Sequence, residues 1–268
     1  MIPVHNKATE AIQDTRANFG LFYNKYTEID EAKLKTPDDG KSSWKERYED
    51  TKRKNGEGIR TLLKKRHNTQ HEFCRFWKSK GCQSIILHAR IASPMIIGLG
   101  ESHPGETGIL LERNLGIPYI PASTIKGVVR FAHTIGLLKD ENGVWLDRDA
   151  LQDKLDLFEK DNQILLKEND KTHIPQLFGQ TEKDSSARGS IIFLDAYPVD
   201  IPNLKVDIMN PHYSEYYQGT RGPTEDQNPI PLKFLVVEEG AEFVFRAIVK
   251  PPQCHGNDQT SLLSHCRE

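Results

Sequence analysis

Apolar residues are sparse over the first 80 positions, and there they recur at helical spacing. In IRTLLKKRHNTQHEFCRFWKSKG, the groups Ile59, Leu62, Leu63 and Phe73, Phe76, Trp77 alternate with basic residues at intervals of a helical turn. That pattern predicts an amphipathic helix, and Gly81 supplies its C-terminal stop. From Ser84 the period changes. SIILHARIASPMIIG is Ile-rich and partly alternating, which predicts a strand broken at Pro94. A glycine-punctuated loop, GLGESHPGETG, occupies 98–108, followed by a short strand ILLER and a turn over Asn114–Gly116.

The helix after IPYIP is the most sharply patterned element. Ser123 is placed to cap it. Ile125, Val128, Val129, Ala132 and Ile135 share a face, while Lys126 and Arg130 share another, about 100–140° from Ile125. The charge-rich residues 140–172 predict a largely helical insertion. RGSIIFLDAYPV predicts a strand buried on both faces through Ile191–Leu194. DIMNPHYSEYYQGTRGPTEDQNPIP predicts a long irregular segment, and PLKFLVVEEGAEFVFRAIV a hairpin turning at Glu238–Gly240. Mixed helix and strand signals give an α+β chain. It divides into a basic helical region (1–82), a core (83–250) with the insertion near 140–172, and an irregular tail (251–268).

Composition changes this picture in two places. The net charge is −2, yet residues 41–80 hold 13 Lys or Arg against 5 Asp or Glu. Such a segment is either a docking face for phosphate or a solvated helix surface, and alone it favours the second. The four cysteines form no CxxC pair, the N-terminus shows no signal-peptide core, and no apolar run is long enough to span a bilayer. A cytoplasmic protein with reduced thiols is expected. His67 and His71 stand four apart, and Cys254-His255 and His265-Cys266 supply ligand types, but no spacing completes a zinc site. No metal or other cofactor is expected.

Three segments carry candidate chemistry. The loop at 98–108 lacks the GxxxxGK[ST] of a phosphate loop, and no helix follows as in a dinucleotide fold. Gly98, Gly100 and Gly105 instead allow a backbone to approach a bulky partner. His103 and Glu106 are acid–base types without a fixed nucleophile or metal, so a role in the turn outweighs catalysis. At the helix start, Ser123, Thr124, Lys126 and Arg130 form a plausible phosphate seat. Gly127 allows close packing there by a ligand or by another helix. His212, Tyr213, Tyr216 and Tyr217 stack bases if exposed, or tuck under the loop. Asp195, beside an apolar run, reads as a strand-end residue bonding to backbone rather than a catalytic carboxylate.

Together, GLGESHPGETG, IPYIPASTIKGVVR, LFG with ARGSIIFLDAYP, MNPHYSEYY and PIPLKFLVVEEGAEFVFRAIV resemble, in order, the motifs of the RAMP superfamily of CRISPR-associated proteins over residues 84–250. IPxSxxKGxxR is shared widely in the superfamily. The HPxETG loop and the FLDAYP and NPHY pair are most similar to the sixth-subunit family of the type III-B (Cmr) effector complex. The resemblance implies a ferredoxin-like, RRM-like core and a non-catalytic subunit that binds guide RNA (crRNA) near its 3′ end. It also implies neighbours in a ribonucleoprotein of antiviral defence, a backbone RAMP subunit and a terminal one. RNA contact is implied for Gly98, Gly100, His103, Ser123, Thr124, Lys126, Arg130, Arg188, His212 and Tyr213. Two other readings remain: a metal-independent RAMP endoribonuclease acting through His103 or His212, and a protein-only scaffold. The family's chain continues into a second core helix and a GxGxKTxxGYG loop, whereas this one ends in KPPQCHGNDQTSLLSHCRE. An incomplete second helix and last strand are therefore expected, with one sheet face and one edge lacking cover.

Overall fold

The computed structural model describes residues 14, 17–26, 40–101, 103, 107–160, 163–167, 173–181, 186–210, 216, 219–222, 224 and 231–251. The helices among these are α1 (Phe19–Lys25), α2 (Gly40–Ser79), α3 (Ala122–Leu137), α4 (Arg148–Lys154) and α5 (Ile174–Phe178). The strands are β1 (Gln83–Arg90), β2 (Asp156–Lys160), β3 (Gln163–Lys167), β4 (Gly179–Thr181), β5 (Ser186–Arg188), β6 (Ile191–Phe193), β7 (Tyr197–Pro198), β8 (Leu204–Met209), β9 (Leu232–Val237) and β10 (Glu242–Val249). This is an α+β chain. It divides into two compact units: Met1–Asn68 with His88–Tyr119 and Tyr197–Val244, and Thr69–Leu87 with Ile120–Ala196 and Phe245–Glu268.

The first unit has an aromatic core. Asn18 caps α1, its Oδ1 accepting from the Leu21 amide at 3.0 Å. Phe19 and Tyr23, one turn apart, meet Tyr48 and Trp44 of α2 edge-on, each with ring centroids 5.0 Å apart. The Tyr48 hydroxyl donates to the Pro202 carbonyl at 3.0 Å. β8 and β9 pair antiparallel from Leu204 opposite Val237 to Met209 opposite Leu232, and the run Phe234–Val237 is wholly buried. The carboxylate of Glu112, itself buried, organises the turn that follows it. It accepts from the Asn114 and Leu115 amides at 2.7 and 2.6 Å and from Arg66 at 3.0 Å. The Asn18 amide donates to the Arg113 and Asn114 carbonyls of the same turn, at 3.1 and 2.7 Å.

In the second unit, β10 pairs antiparallel with β6, Ala247–Val249 against Phe193–Ile191. On one face of this pair Cys74 and Trp77 of α2 pack with Cys82, Ile192, Leu194 and Ile248. The main sheet runs in the order β1-β10-β6, with β7 also on β10. β1, α3, β6 and β10 thus occur in the chain order and strand order of the first four elements of a ferredoxin-like βαββαβ arrangement.

Several expectations are corrected. The 140–172 region is not mainly helical: after α4 come β2 and β3, an antiparallel pair with Lys160 opposite Gln163. ILLER forms a single bridge, Leu111 to Pro118, instead of a strand. β6 is only three residues long and half-buried, not a buried strand through Leu194. Asp207–Met209 belong to β8 and not to an irregular segment. Finally, β9 and β10 do not form a hairpin. β9 pairs with β8, whereas β10 pairs with β1, β6 and β7.

Candidate nucleic-acid interface

α3 begins where expected, but its cap is different. Pro121 precedes it in extended conformation and offers no side-chain acceptor, so Ser123 lies inside the first turn. The cap comes from Asp195, whose Oδ1 accepts from the Ala122 amide at 2.8 Å. The strand-end role read for Asp195 is therefore what the structure shows. Asp195 sits where the chain leaves β6, and its carbonyl accepts from Gln70 Nε2 at 2.8 Å. Gln70 Oε1 in turn accepts from Arg246 Nη1 at 2.8 Å. Arg246 is buried, and desolvation holds its guanidinium below its ordinary pKa. A polar chain, Arg246–Gln70–Asp195–Ala122, thus fixes the start of α3 within this unit. Nothing local in the sequence signals it, because its members lie up to 176 positions apart.

Around that start, Ser123 and Thr124 are exposed, while Lys126 and Arg130 are partly buried and one turn apart. Among the described residues no carboxylate forms an ion pair with Lys126. With Asp195 already on the first amide, an anion brought to this end would meet hydroxyls and cations more than the helix end itself. Gly127 is exposed, and a Cβ there would meet nothing within 4 Å, so close helix packing does not explain this glycine. Arg188 lies exposed on β5, opposite Gly179.

α3 buries none of its residues. Val128, at 62 % exposure, departs from the expected core face, and Phe131, outside that face, is 67 % exposed. Beneath the helix lies an apolar cavity of about 340 Å³, lined by Ile125, Val129 and His133 together with Leu87, Phe193 and Ala247. His173 also lines it, in a left-handed conformation at φ 56°, with Nδ1 donating to Gln176 Oε1 at 2.8 Å.

Gly98, Gly100 and His103 belong to the first unit, apart from the α3 residues. Gly98 has φ +74°, and a Cβ on it would come within 2.8 Å of both the amide nitrogen and the Cβ of Leu110. The clearance it provides therefore serves its own chain. Among the described residues, nothing lies within 4 Å of a Cβ placed on Gly100. His103 stacks on Tyr23 with centroids 4.1 Å apart, meets Trp44 edge-on at 5.1 Å, and donates from Nε2 to the Tyr23 carbonyl at 2.9 Å. That packing supports the turn role over acid–base chemistry. Glu106, His212, Tyr213 and Tyr217 lie outside the described residues; Tyr216 is exposed. His67, weighed as a metal ligand, lies with Nε2 2.9 Å from the Pro198 carbonyl. Among the described residues no helix is long and apolar enough to cross a membrane.

Comparison with known proteins adds the following. The model of the RAMP superfamily matches residues 88–262. The CRISPR system Cmr subunit Cmr6 of Pyrococcus furiosus is 32% identical over 189 residues, 57% of this chain and 54% of that protein. The chain thus spans about half the length of this relative. Among solved structures, a type III-B Cmr-beta complex bound to cognate target RNA contains a chain 20% identical, with TM-score 0.47, covering 91% of this chain and 78% of that one. The crystal structure of Cmr6 from Pyrococcus furiosus is 26% identical with TM-score 0.33, over 64% and 84% of the two chains. The family match takes in the loop, the capped helix and the corner at Asp195, and on it the chain belongs to the RAMP superfamily.

Proposed function

We propose that the chain is a non-catalytic, guide-RNA-binding subunit of a type III-B CRISPR effector ribonucleoprotein, working in the cytoplasm in antiviral defence. The observation that carries this reading is the 32% identity to a Cmr6 subunit over 189 residues, which include the α3 region's family motifs. Ser123, Thr124, Lys126 and Arg130 contact RNA phosphates, with Arg188 a further contact, and His212 and Tyr213 stack on unpaired bases. Gly98, Gly100 and His103 shape their own loop more than they touch RNA. Its partners are the backbone and terminal RAMP subunits of the complex. The packing of His103 weighs against the endoribonuclease reading, and the partly exposed cations of α3, beside the exposed hydroxyls of Ser123 and Thr124, weigh against a protein-only scaffold.

The test is RNA binding by a Lys126→Ala, Arg130→Ala double variant, titrated with single-stranded RNA over a range of salt. Two lost phosphate contacts will lower the slope of log affinity against log salt by about 1.4, from ~0.7 per contact on a single strand. Unchanged affinity and slope would overturn the phosphate seat.

A further inference from the structure

The basic stretch 41–80 is either a docking face or a solvated helix surface, and its ion pairs divide it. In the first unit Arg53, Arg60 and Arg66 are held by Asp50, Asp200 and Glu112, at 2.6, 2.7 and 3.0 Å. In the second unit, near the end of α2, Arg75 pairs with Glu72 at 3.2 Å. Among the described residues Lys80 and Lys250 meet no carboxylate and lie against aromatic rings instead. Lys80 Nζ is 5.7 Å from the centroid of Phe76, and Lys250 Nζ, just past the end of β10, is 5.5 Å from that of Trp77.

Trp77 joins the cluster together. Phe73 and Phe76 each meet it edge-on, at 6.2 and 5.8 Å. Trp77 packs with Cys74 against the β6–β10 pair. Phe76 follows Cys74 by two positions, so it lies about 160° round the helix from it and points away from the sheet. It is 54 % exposed, and Phe73 is 40 % exposed. A lysine near a helix C-terminus complements the dipole, which accounts for Lys80 but not for Lys250 or the rings. This flank is separate from the α3 surface: α3 lies over Phe193 and Ala247, whereas Trp77 packs on Ile192 and Ile248, on the other face of the strands. Open rings flanked by ammonium groups suit a polyanion whose flat apolar parts are also exposed. An unpaired nucleic-acid strand has both properties; a duplex keeps its bases inside, and an acidic peptide offers only the charge.

We propose that this flank of α2, with Phe73, Phe76, Lys80 and Lys250 around Trp77, is a second seat for single-stranded RNA, distinct from that at the start of α3. Unpaired bases stack on the two phenylalanines while neighbouring phosphates meet the two ammonium groups. Only the choice of RNA over DNA rests on the function proposed above.

Titration of the full chain with a uridine-rich single strand, and with an RNA duplex of the same length, tests this. A Phe73→Leu, Phe76→Leu variant keeps the flank apolar but removes both rings. It will weaken single-strand binding about tenfold and leave duplex binding unchanged. A Lys80→Ala, Lys250→Ala variant will lower the salt slope on the single strand by about 1.4, from ~0.7 per contact. Lys78→Ala, on the far side of the helix from Phe76, will not. Each effect will persist in the Lys126→Ala, Arg130→Ala background, so failure of the α3 seat and failure of this one are read separately. Single-strand affinity indifferent to the rings overturns the proposal, since the flank then serves something other than RNA. An equal loss on the duplex overturns it too, because stacking is then not what the rings supply. So does a salt slope that Lys80 and Lys250 leave unchanged, or that Lys78 alters as much.

Discussion

Asp195 shows how much one side chain decides in this molecule. A helix that opens on proline has no local acceptor for its first amide, and here a carboxylate 73 positions away supplies it. Asp195→Ala will therefore destabilise the chain by about 0.5–2 kcal/mol in chemical denaturation, the range of a lost N-cap. Asp195→Asn, which keeps an acceptor, will cost less. Reading Asp195 as a strand-end residue was possible from the apolar run before it; its amide partner was not, since sequence spacing is silent about contacts between distant segments. Gly98 shows the converse. Its loop suggested clearance for a ligand, and the atoms within reach are those of Leu110. A glycine pattern states that a backbone comes close to something without saying to what.

At the scale of elements, legibility follows how local the deciding interaction is. α2 and α3 were readable because a 3.6-residue period and a glycine at φ +84° after α2 act within a few turns. β9 and β10 misled because two apolar runs around Glu-Glu-Gly look like a hairpin, whereas the choice of partner is made by β8 and by β1 and β6. Of the residues between them, Glu238 donates to Asn203 and Gly240 to Ile91, at 3.0 and 2.8 Å. Burial also ranks the elements. α3 buries no residue, whereas Phe234–Val237 of β9 are enclosed. Native-state hydrogen exchange followed by mass spectrometry will find α3 opening with a smaller free energy than β9. Equal protection of the two would show that α3 is held by more than the contacts described.

For the molecule as a whole, the two units differ in how completely their cores are filled. The second unit carries an apolar cavity of about 340 Å³ open under α3. The native chain will accordingly bind an environment-sensitive apolar dye, and Ala247→Leu, projecting into that space, will reduce the fluorescence. The same substitution will raise the melting temperature by a few degrees, equivalent to about 1 kcal/mol in a domain of this size. Loss of stability instead would mean the cavity walls cannot accept a larger side chain. The first unit is complete in another sense: it is assembled from three separated stretches of chain. Its opening helix is clasped through Asn18 by the turn that Glu112 organises, and stacked on a core closed by residues near 200 and 235. A ribosome delivers that helix well before the turn that clasps it. Phe19 and Tyr23 can meet Tyr48 and Trp44 early, but 95 positions separate Asn18 from Arg113, so this aromatic cluster waits for its clasp while they are made. Such a chain places its greatest demand on chaperones early, and its folding will be timed by the arrival of its C-terminal strands rather than by the speed of its helices.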